Sequence, residues 1–484
     1  MLTNAKRWFC VAIFGLAAFA TSSAMAEDLP EGHPRLVDHG GAFSPRAFQI
    51  DIGAEQTAKT YYADVLSAQT GLATPATILT ITVADLLAYL GYADITAVDL
   101  HAQSSTDLMA RGTGDEILAI RFFAPKITSV SEKPVAIPDG GFGWRKVVRL
   151  ISRPGSPART NGIEAGYILQ NIFSKSATDD PFDGDHVSVF NQAMLTRLPG
   201  SGPYSPAKRA AYFITFEPFV VIDPATKLPV KVDGAYQGDG RLSFKLGATF
   251  DEFDRDPETN LGASDYFVPD ACENCHGGRT AIKINFLDTD HWFDRVFPNY
   301  GLAAPKFSEE DFTGMASSPF GLLYDGGTDL TTPQFKAAFD VIRKFNTGAV
   351  AQNTDAGSQP FQKLAAERWL QLHQPTASAE AHVPPIDRGF GTGTWSAATA
   401  GDKELVYYLN RYCYRCHSSV RYNVFDRDAV LGRAGGIPFR VLDINDAAFW
   451  MPQDRIFPGL GTKQGEPESS GSLLEFLTLL DAMQ

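Results

Sequence analysis

The sequence predicts a multidomain protein: an α+β domain over residues 27–260, followed by two mainly α-helical domains over residues 261–392 and 393–484. Three observations lead to this prediction. The 484 residues are enough for about three domains of ordinary size. The region before residue 260 mixes helical and strand patterns and has no cysteine after the N-terminal segment. Beyond it, two cysteine-histidine motifs of the same spacing occur, together with several helical patterns.

The first 26 residues match a secretory signal peptide. Lys6 and Arg7 precede the apolar run Trp8–Ala20, and small residues then lead to a cleavage position after Ala26. The apolar run is shorter than the roughly 20 residues that a membrane span requires. We therefore expect a protein that is exported to the periplasm and has no membrane span.

Residues 27–260 show two periodicities. Apolar residues at helical spacing predict helices over residues 54–69 and 82–92. β-branched and aromatic runs between turn residues predict strands over residues 116–124, 146–152, 211–222 and 242–246. The glycine-rich and acidic loops of this region lack the spacing of a dinucleotide loop or an EF-hand. The sequence assigns no role to this α+β domain.

The chemistry of the chain is indicated by two copies of the pattern C-x-x-C-H. They comprise Cys272, Cys275 and His276, and then Cys413, Cys416 and His417. Two cysteines at this spacing can form thioethers with one porphyrin, and the histidine that follows can bind the iron, so the pattern is the attachment signature of c-type haem. A four-thiolate zinc site is the alternative, but it does not require a histidine after each pair. We expect two covalently attached haem c groups, one in each helical domain.

The sixth ligand of the first haem iron has three candidate assignments. His291 lies fifteen residues after His276, which leaves room for the chain to cross the haem edge. Met315 is the second candidate. In the third, neither residue binds, and the position is open or filled from a distant part of the chain.

Two further helices are predicted before the last domain. One covers residues 333–346, begins after Thr331 or Thr332 and carries a stripe of aromatic and aliphatic residues; the other covers residues 360–373. Such a stripe is more often ordinary core than a surface that faces a haem. Residues 374–393 contain three prolines and read as a linker.

The last ninety or so residues resemble a single-haem cytochrome c domain. A predicted helix over residues 403–416 carries the second motif at its end, and a capping pattern starts another helix over residues 473–480. We expect these two helices to pack across one another. Met451 lies 34 residues after His417 and precedes Pro452, which resembles the methionine ligand of cytochrome c. Methionine ligation raises the reduction potential of a haem.

Together the two motifs resemble multihaem c-type cytochromes, and more loosely the bacterial dihaem cytochrome c peroxidase and MauG-like superfamily. That resemblance implies a reactive first haem and a methionine-ligated, electron-transferring second haem. The chain departs from that superfamily in the long region before Cys272 and in the short interval between His417 and Met451.

Two functions follow from these features, and electron transfer through both haems is favoured because it requires no acid or base. The alternative is a peroxidase or oxygenase with a small-molecule substrate, in which His291, Asp288 or Asp290 would assist the reaction. No catalytic residue is assigned. The net charge of −14 makes nucleic acid a poor partner and a basic redox protein a favourable one.

Overall fold

The computed structural model gives the fold for most of the region before residue 245 and for several later segments. The described residues are 55–123, 144–172, 180–186, 188–198, 209–226, 228–244, scattered positions between 267 and 289, 323–352 without 328 and 330, 361–374, 395, 400–413, 424, 426–442 and 472–483. The predicted leader and the predicted domain boundaries at residues 260 and 392 lie outside them.

A six-stranded antiparallel sheet forms the centre of the described part. Its strands are β1 (Ile117–Phe123), β2 (Trp144–Ile151), β3 (Ile163–Ile172), β4 (Ser188–Arg197), β5 (Ala211–Phe216) and β8 (Leu242–Ser243), in this spatial order. A separate hairpin consists of β6 (Lys231–Val232) and β7 (Ala235–Tyr236). Each strand of the large sheet therefore lies beside its neighbour in sequence, apart from this inserted hairpin.

Short helices cover one face of the sheet, which we call the N-terminal face. They are α1 (Glu55–Thr60), a π-helical segment (Tyr61–Leu66), α2 (Ser67–Thr70), a 3₁₀ turn (Ile78–Thr80), α3 (Val83–Leu90), α4 (Ala97–Ala102) and α5 (Ser105–Met109). A capping box between Thr82 and Asp85 starts α3. Leu90 of α3 packs on Gly166 of β3, where a Cβ atom would lie 2.7 Å from the Leu90 Cδ1 atom. The short helix α6 (Pro157–Thr160) precedes β3.

The opposite face, which we call the motif face, packs against a long helix. This helix, α7 (Pro333–Gln352), follows a 3₁₀ turn (Tyr324–Gly326), and the Thr332 hydroxyl accepts the Phe335 N–H at its start. The Arg149 guanidinium of β2 donates to the Lys344 carbonyl, and the Tyr167 hydroxyl of β3 donates to the Gln352 side chain. The stripe on α7 is core, as predicted, and it meets Trp369 of α8 (Phe361–Leu372).

The C-terminal described segments are helical. They are α9 (Ala400–Tyr412), α10 (Arg427–Leu431), α11 (Ile437–Leu442) and α12 (Ser472–Ala482). The predicted contact between the first and last of these is confirmed: the rings of Tyr408 and Phe476 lie 5.7 Å apart, and the Tyr408 hydroxyl donates to Glu475. Among the described helices, none is long and apolar enough to cross a membrane.

The predicted fold class, a multidomain chain in which an α+β domain precedes two mainly α-helical c-type haem domains, is wrong. Residues Phe43–Gln484 form one compact unit. The described part of the chain is 44% helix and 21% strand, and its sheet packs against α7, which lies beyond residue 330. The physical reason is that the motif face carries buried residues such as Phe213 and Tyr167, and their described contacts to His276 and Gln352 come from beyond residue 260.

Candidate haem site

The first C-x-x-C-H motif begins in a helical turn. The Pro269 carbonyl accepts the N–H groups of Cys272 and Glu273 at 3.0 and 2.9 Å, and the backbone is helical again at His276. Residues four positions apart lie on the same side of a helix. Cys272 and His276 are four positions apart and both have helical backbone, which suits attachment to one porphyrin.

This turn packs on β5, the strand next to the edge of the sheet. The His276 imidazole and the Phe213 ring of β5 lie 6.0 Å apart between their centres. The Arg209 guanidinium, just before β5, pairs with the Glu273 carboxylate and lies over the Tyr61 ring. The ion pair and the ring contact fix the turn against the sheet.

Two neighbouring tyrosines, Tyr61 and Tyr62, bond to β5 close to this turn. The Tyr61 and Tyr62 hydroxyls accept the N–H groups of Phe213 and Thr215 at 2.8 and 3.0 Å, on the side of β5 that faces away from β4. Burial strongly raises the pKa of both tyrosines, and the nearby Cys272 thiol acts in the same direction. Both tyrosines lie in the π-helical segment, a rare conformation that occurs frequently at functional sites.

A half-buried area lies beside this turn on the motif face. We call it the sheet patch, and it consists of Val147, Leu169, Gln192 and Met194. The strand register places Val147, Leu169 and Gln192 side by side, and Met194 lies two residues beyond Gln192 along β4. On the N-terminal face, the corresponding residues of these strands are fully buried. The patch is thus a part of the motif face whose side chains are only partly buried.

The chain after the motif returns to α7. The Asn346 side chain accepts the Leu287 N–H and donates to the Leu287 carbonyl, at 2.7 and 3.0 Å. This pair of bonds places the next two residues, Asp288 and Thr289, in buried positions. Asp288, one of the candidate acid or base residues, therefore lies inside the protein.

The residues of this region fit a covalently attached porphyrin. The donor set supplies a cysteine and a histidine on one side of a turn, and aromatic rings of Phe213 and Tyr61 adjoin it. The sheet patch extends over three strands. Neighbouring strands lie about 4.8 Å apart, so the distance from the first strand to the third is about 10 Å, comparable with the width of a porphyrin ring. Three of its four side chains are apolar, as the faces of a porphyrin require.

The second motif follows α9 directly. The Cys413 N–H donates to the Leu409 carbonyl at 2.9 Å, and the cysteine is half-buried at the helix end, where the sequence predicted it. Near it in sequence, the buried Trp395 indole donates to the Val424 carbonyl. The helix ends at Tyr412, four residues earlier than expected.

The structure does not place every predicted site residue. Cys275, Cys416, His417, Met451, His291, Met315 and Asp290 lie outside the described residues. The residues that the sequence reading missed are those that receive the first turn, namely Tyr61, Arg209, Phe213 and the sheet patch. Their only local signal is the pair of adjacent tyrosines, because the other contacts join distant parts of the chain.

Comparison of the chain with family models, with curated proteins and with solved structures found no match. The two motifs and the geometry around the first of them are therefore the features that indicate a function.

Proposed function

We propose that this protein is an exported dihaem c-type cytochrome that transfers electrons through two covalently attached haems. Cys272, Cys275 and His276 would hold the first haem, and Cys413, Cys416 and His417 would hold the second. Met451 is the proposed sixth ligand of the second. The proposed location is the periplasm, and the proposed partner is a basic redox protein, because the chain carries a net charge of −14.

The observation that carries the proposal is the placement of the first motif. Cys272 is only 8% exposed, and it lies with His276 on a turn that packs on aromatic residues beside the sheet patch. A structural zinc site made from the four thiols would bring both motifs to one metal ion and would need no apolar surface. Each haem supplies a one-electron centre; the chain binds it, shields its faces and orients its edge.

The proposal is tested by counting haems in the purified protein. Expression with the leader in a bacterium that attaches haem c should give a mass with two haem additions. The double variant Cys272→Ser/Cys275→Ser should lose one haem, and Cys413→Ser/Cys416→Ser should lose the other. The control Cys10→Ser, which changes the cysteine outside both motifs, should keep two. Wild-type protein that binds zinc and shows no Soret absorption would refute the assignment.

The second candidate function is a dihaem peroxidase or oxygenase, and the burial of Asp288 favours it. The residue is 6% exposed and lies in the segment that returns from the first motif, where its carboxyl would assist proton transfer to a small substrate. Electron paramagnetic resonance of the oxidised and half-reduced protein separates the two functions. Two low-spin irons at every oxidation level support the carrier, and a high-spin iron that binds cyanide supports the enzyme.

A further inference from the structure

We propose that Met194, in the central strand β4, supplies the sixth ligand of the first haem iron. This inference rests on the proposed function, since it needs a haem at the first motif. It names a residue from the region before the motif, in which no candidate ligand was predicted.

The strand register gives Met194 its position. One row across the motif face consists of Arg149, Tyr167, Met194 and Phe213, each the direct partner of the next. Directly opposed residues point to the same face, with Cβ atoms about 4.5–5.5 Å apart. Tyr167 contacts α7 and Phe213 contacts the His276 imidazole, so Met194 lies between the long helix and the proximal histidine.

The neighbours of Met194 confirm which way it faces. The hydroxyl of Thr196, two positions along β4, donates to the same Gln352 amide oxygen that accepts from Tyr167. Because alternate residues of a strand share a face, Met194 also lies on the side of α7. It is half-buried in the sheet patch, whereas Ala193 and Leu195 are buried on the other face.

The chemistry of the patch selects Met194 over its neighbours. A porphyrin laid on the sheet patch would have His276 on one side and the strands on the other. Among the four patch residues, Val147 and Leu169 have no donor atom, and the Gln192 amide oxygen is a harder ligand than haem iron normally takes. The thioether of Met194 is a normal axial ligand of haem c.

The test compares Met194→Leu, which keeps the volume and apolarity of the side chain and removes its sulfur, with Met109→Leu on α5 as the matched control. Both are made in the full-length, haem-loaded protein, in which Met451 is first changed to Leu so that the second haem contributes no thioether signal. The near-infrared absorption band of thioether-ligated ferric haem should persist in the Met451→Leu parent and in the control. Met194→Leu should abolish it and lower the potential of the first haem.

The outcomes separate this inference from the proposed function. Wild-type protein without two covalent haems would overturn both. Two haems together with an unchanged band and potential in Met194→Leu would overturn the Met194 assignment alone, as would loss of the band in His291→Ala. A measurement on the Met451→Leu parent covers the case in which the Met194 variant fails to fold: the reduced parent should show one strongly upfield-shifted methionine methyl resonance, and its absence would overturn the assignment.

Discussion

Lys146 lies in β2 with its ammonium group fully buried on the N-terminal face. The ammonium donates to the carbonyls of Leu100 and Gln103, each at 2.6 Å, at the end of α4. A cation at a helix C-terminus meets the negative end of the helix dipole. Burial is the larger effect, and together with the Arg121 guanidinium it lowers the pKa of Lys146 to about 7.

This pKa predicts a pH dependence of stability. In the unfolded chain Lys146 keeps its proton up to about pH 10.4, so between pH 7 and that value the unfolded state binds more protons. The free energy of unfolding should therefore rise with pH, by about 2 kcal/mol between pH 7 and 9 from this residue. Below pH 7 both states are protonated and its contribution is constant.

Urea unfolding of the wild type and of Lys146→Met at several pH values measures this contribution. The difference in unfolding free energy between the two proteins should change by about 2 kcal/mol over that window, in favour of the wild type as pH rises. Lys336→Met on the exposed side of α7 is the control for the lysine-to-methionine exchange, and the Lys146 effect is the pH-dependent change beyond that of the control. A constant difference for Lys146→Met would show that its pKa is not lowered in the fold.

At the scale of elements, the π-helical segment closes the edge of the sheet. Strand β8 pairs with β5 only at Thr215 and Phe216, so the outward N–H of Phe213 would have no strand partner there. The Tyr61 hydroxyl accepts it, and the Tyr62 hydroxyl accepts the N–H of Thr215 and donates to the Ser243 carbonyl at 2.7 Å. Two side chains thus replace a missing length of strand.

Removing one of these hydroxyls should be costly. Tyr62→Phe leaves the buried Thr215 N–H without its acceptor, and an unmet buried donor costs about 1–3 kcal/mol. Tyr236→Phe is the control, since its hydroxyl bonds the exposed Asp185 and its loss should cost less than about 0.5 kcal/mol. Denaturant unfolding measures both. Equal losses in the two variants would contradict the edge-closing role of Tyr62.

The elements also show where sequence patterns were sufficient. The helices at Val83–Leu90 and Pro333–Gln352 and four strands of the sheet follow from their apolar periodicity, although α7 continues six residues past its predicted end. Strands β3 and β4 were not predicted. Polar Gln170, Asn171 and Asn191 interrupt their apolar runs, and the fold nevertheless buries all three. Gly166 weakened the strand pattern further. A glycine is needed at this position because Leu90, from a helix distant in sequence, packs against it.

The same distinction applies to the candidate site. The two motifs can be recognised from the sequence because each C-x-x-C-H pattern lies within five positions of the chain. The surface that receives them is not readable, because Phe213 and Met194 lie in strands whose pairing joins distant residues, and one of those strands was missed. This is why the sequence offered only His291 and Met315 as named ligands for the first haem.

At the scale of the whole molecule, the sheet needs both of its covers. Its motif face carries the buried residues Leu118, Ile120, Tyr167 and Phe213, and α7, which follows residue 330, packs on it. An N-terminal region that ended at residue 260 would expose these side chains. Exposed apolar surface of this kind leads to association or incomplete folding.

A pair of fragments tests this dependence. Residues 27–260 should not give a monomer that unfolds cooperatively, and they should bind a dye for apolar surface such as anilinonaphthalene sulfonate. Residues 27–374 keep α7 and α8, so they should remain monomeric and unfold in one transition, with far less dye bound. Size-exclusion chromatography and thermal unfolding compare the two. A stable monomer of residues 27–260 would contradict this dependence, because the sheet would then fold as an independent domain without the first motif and α7.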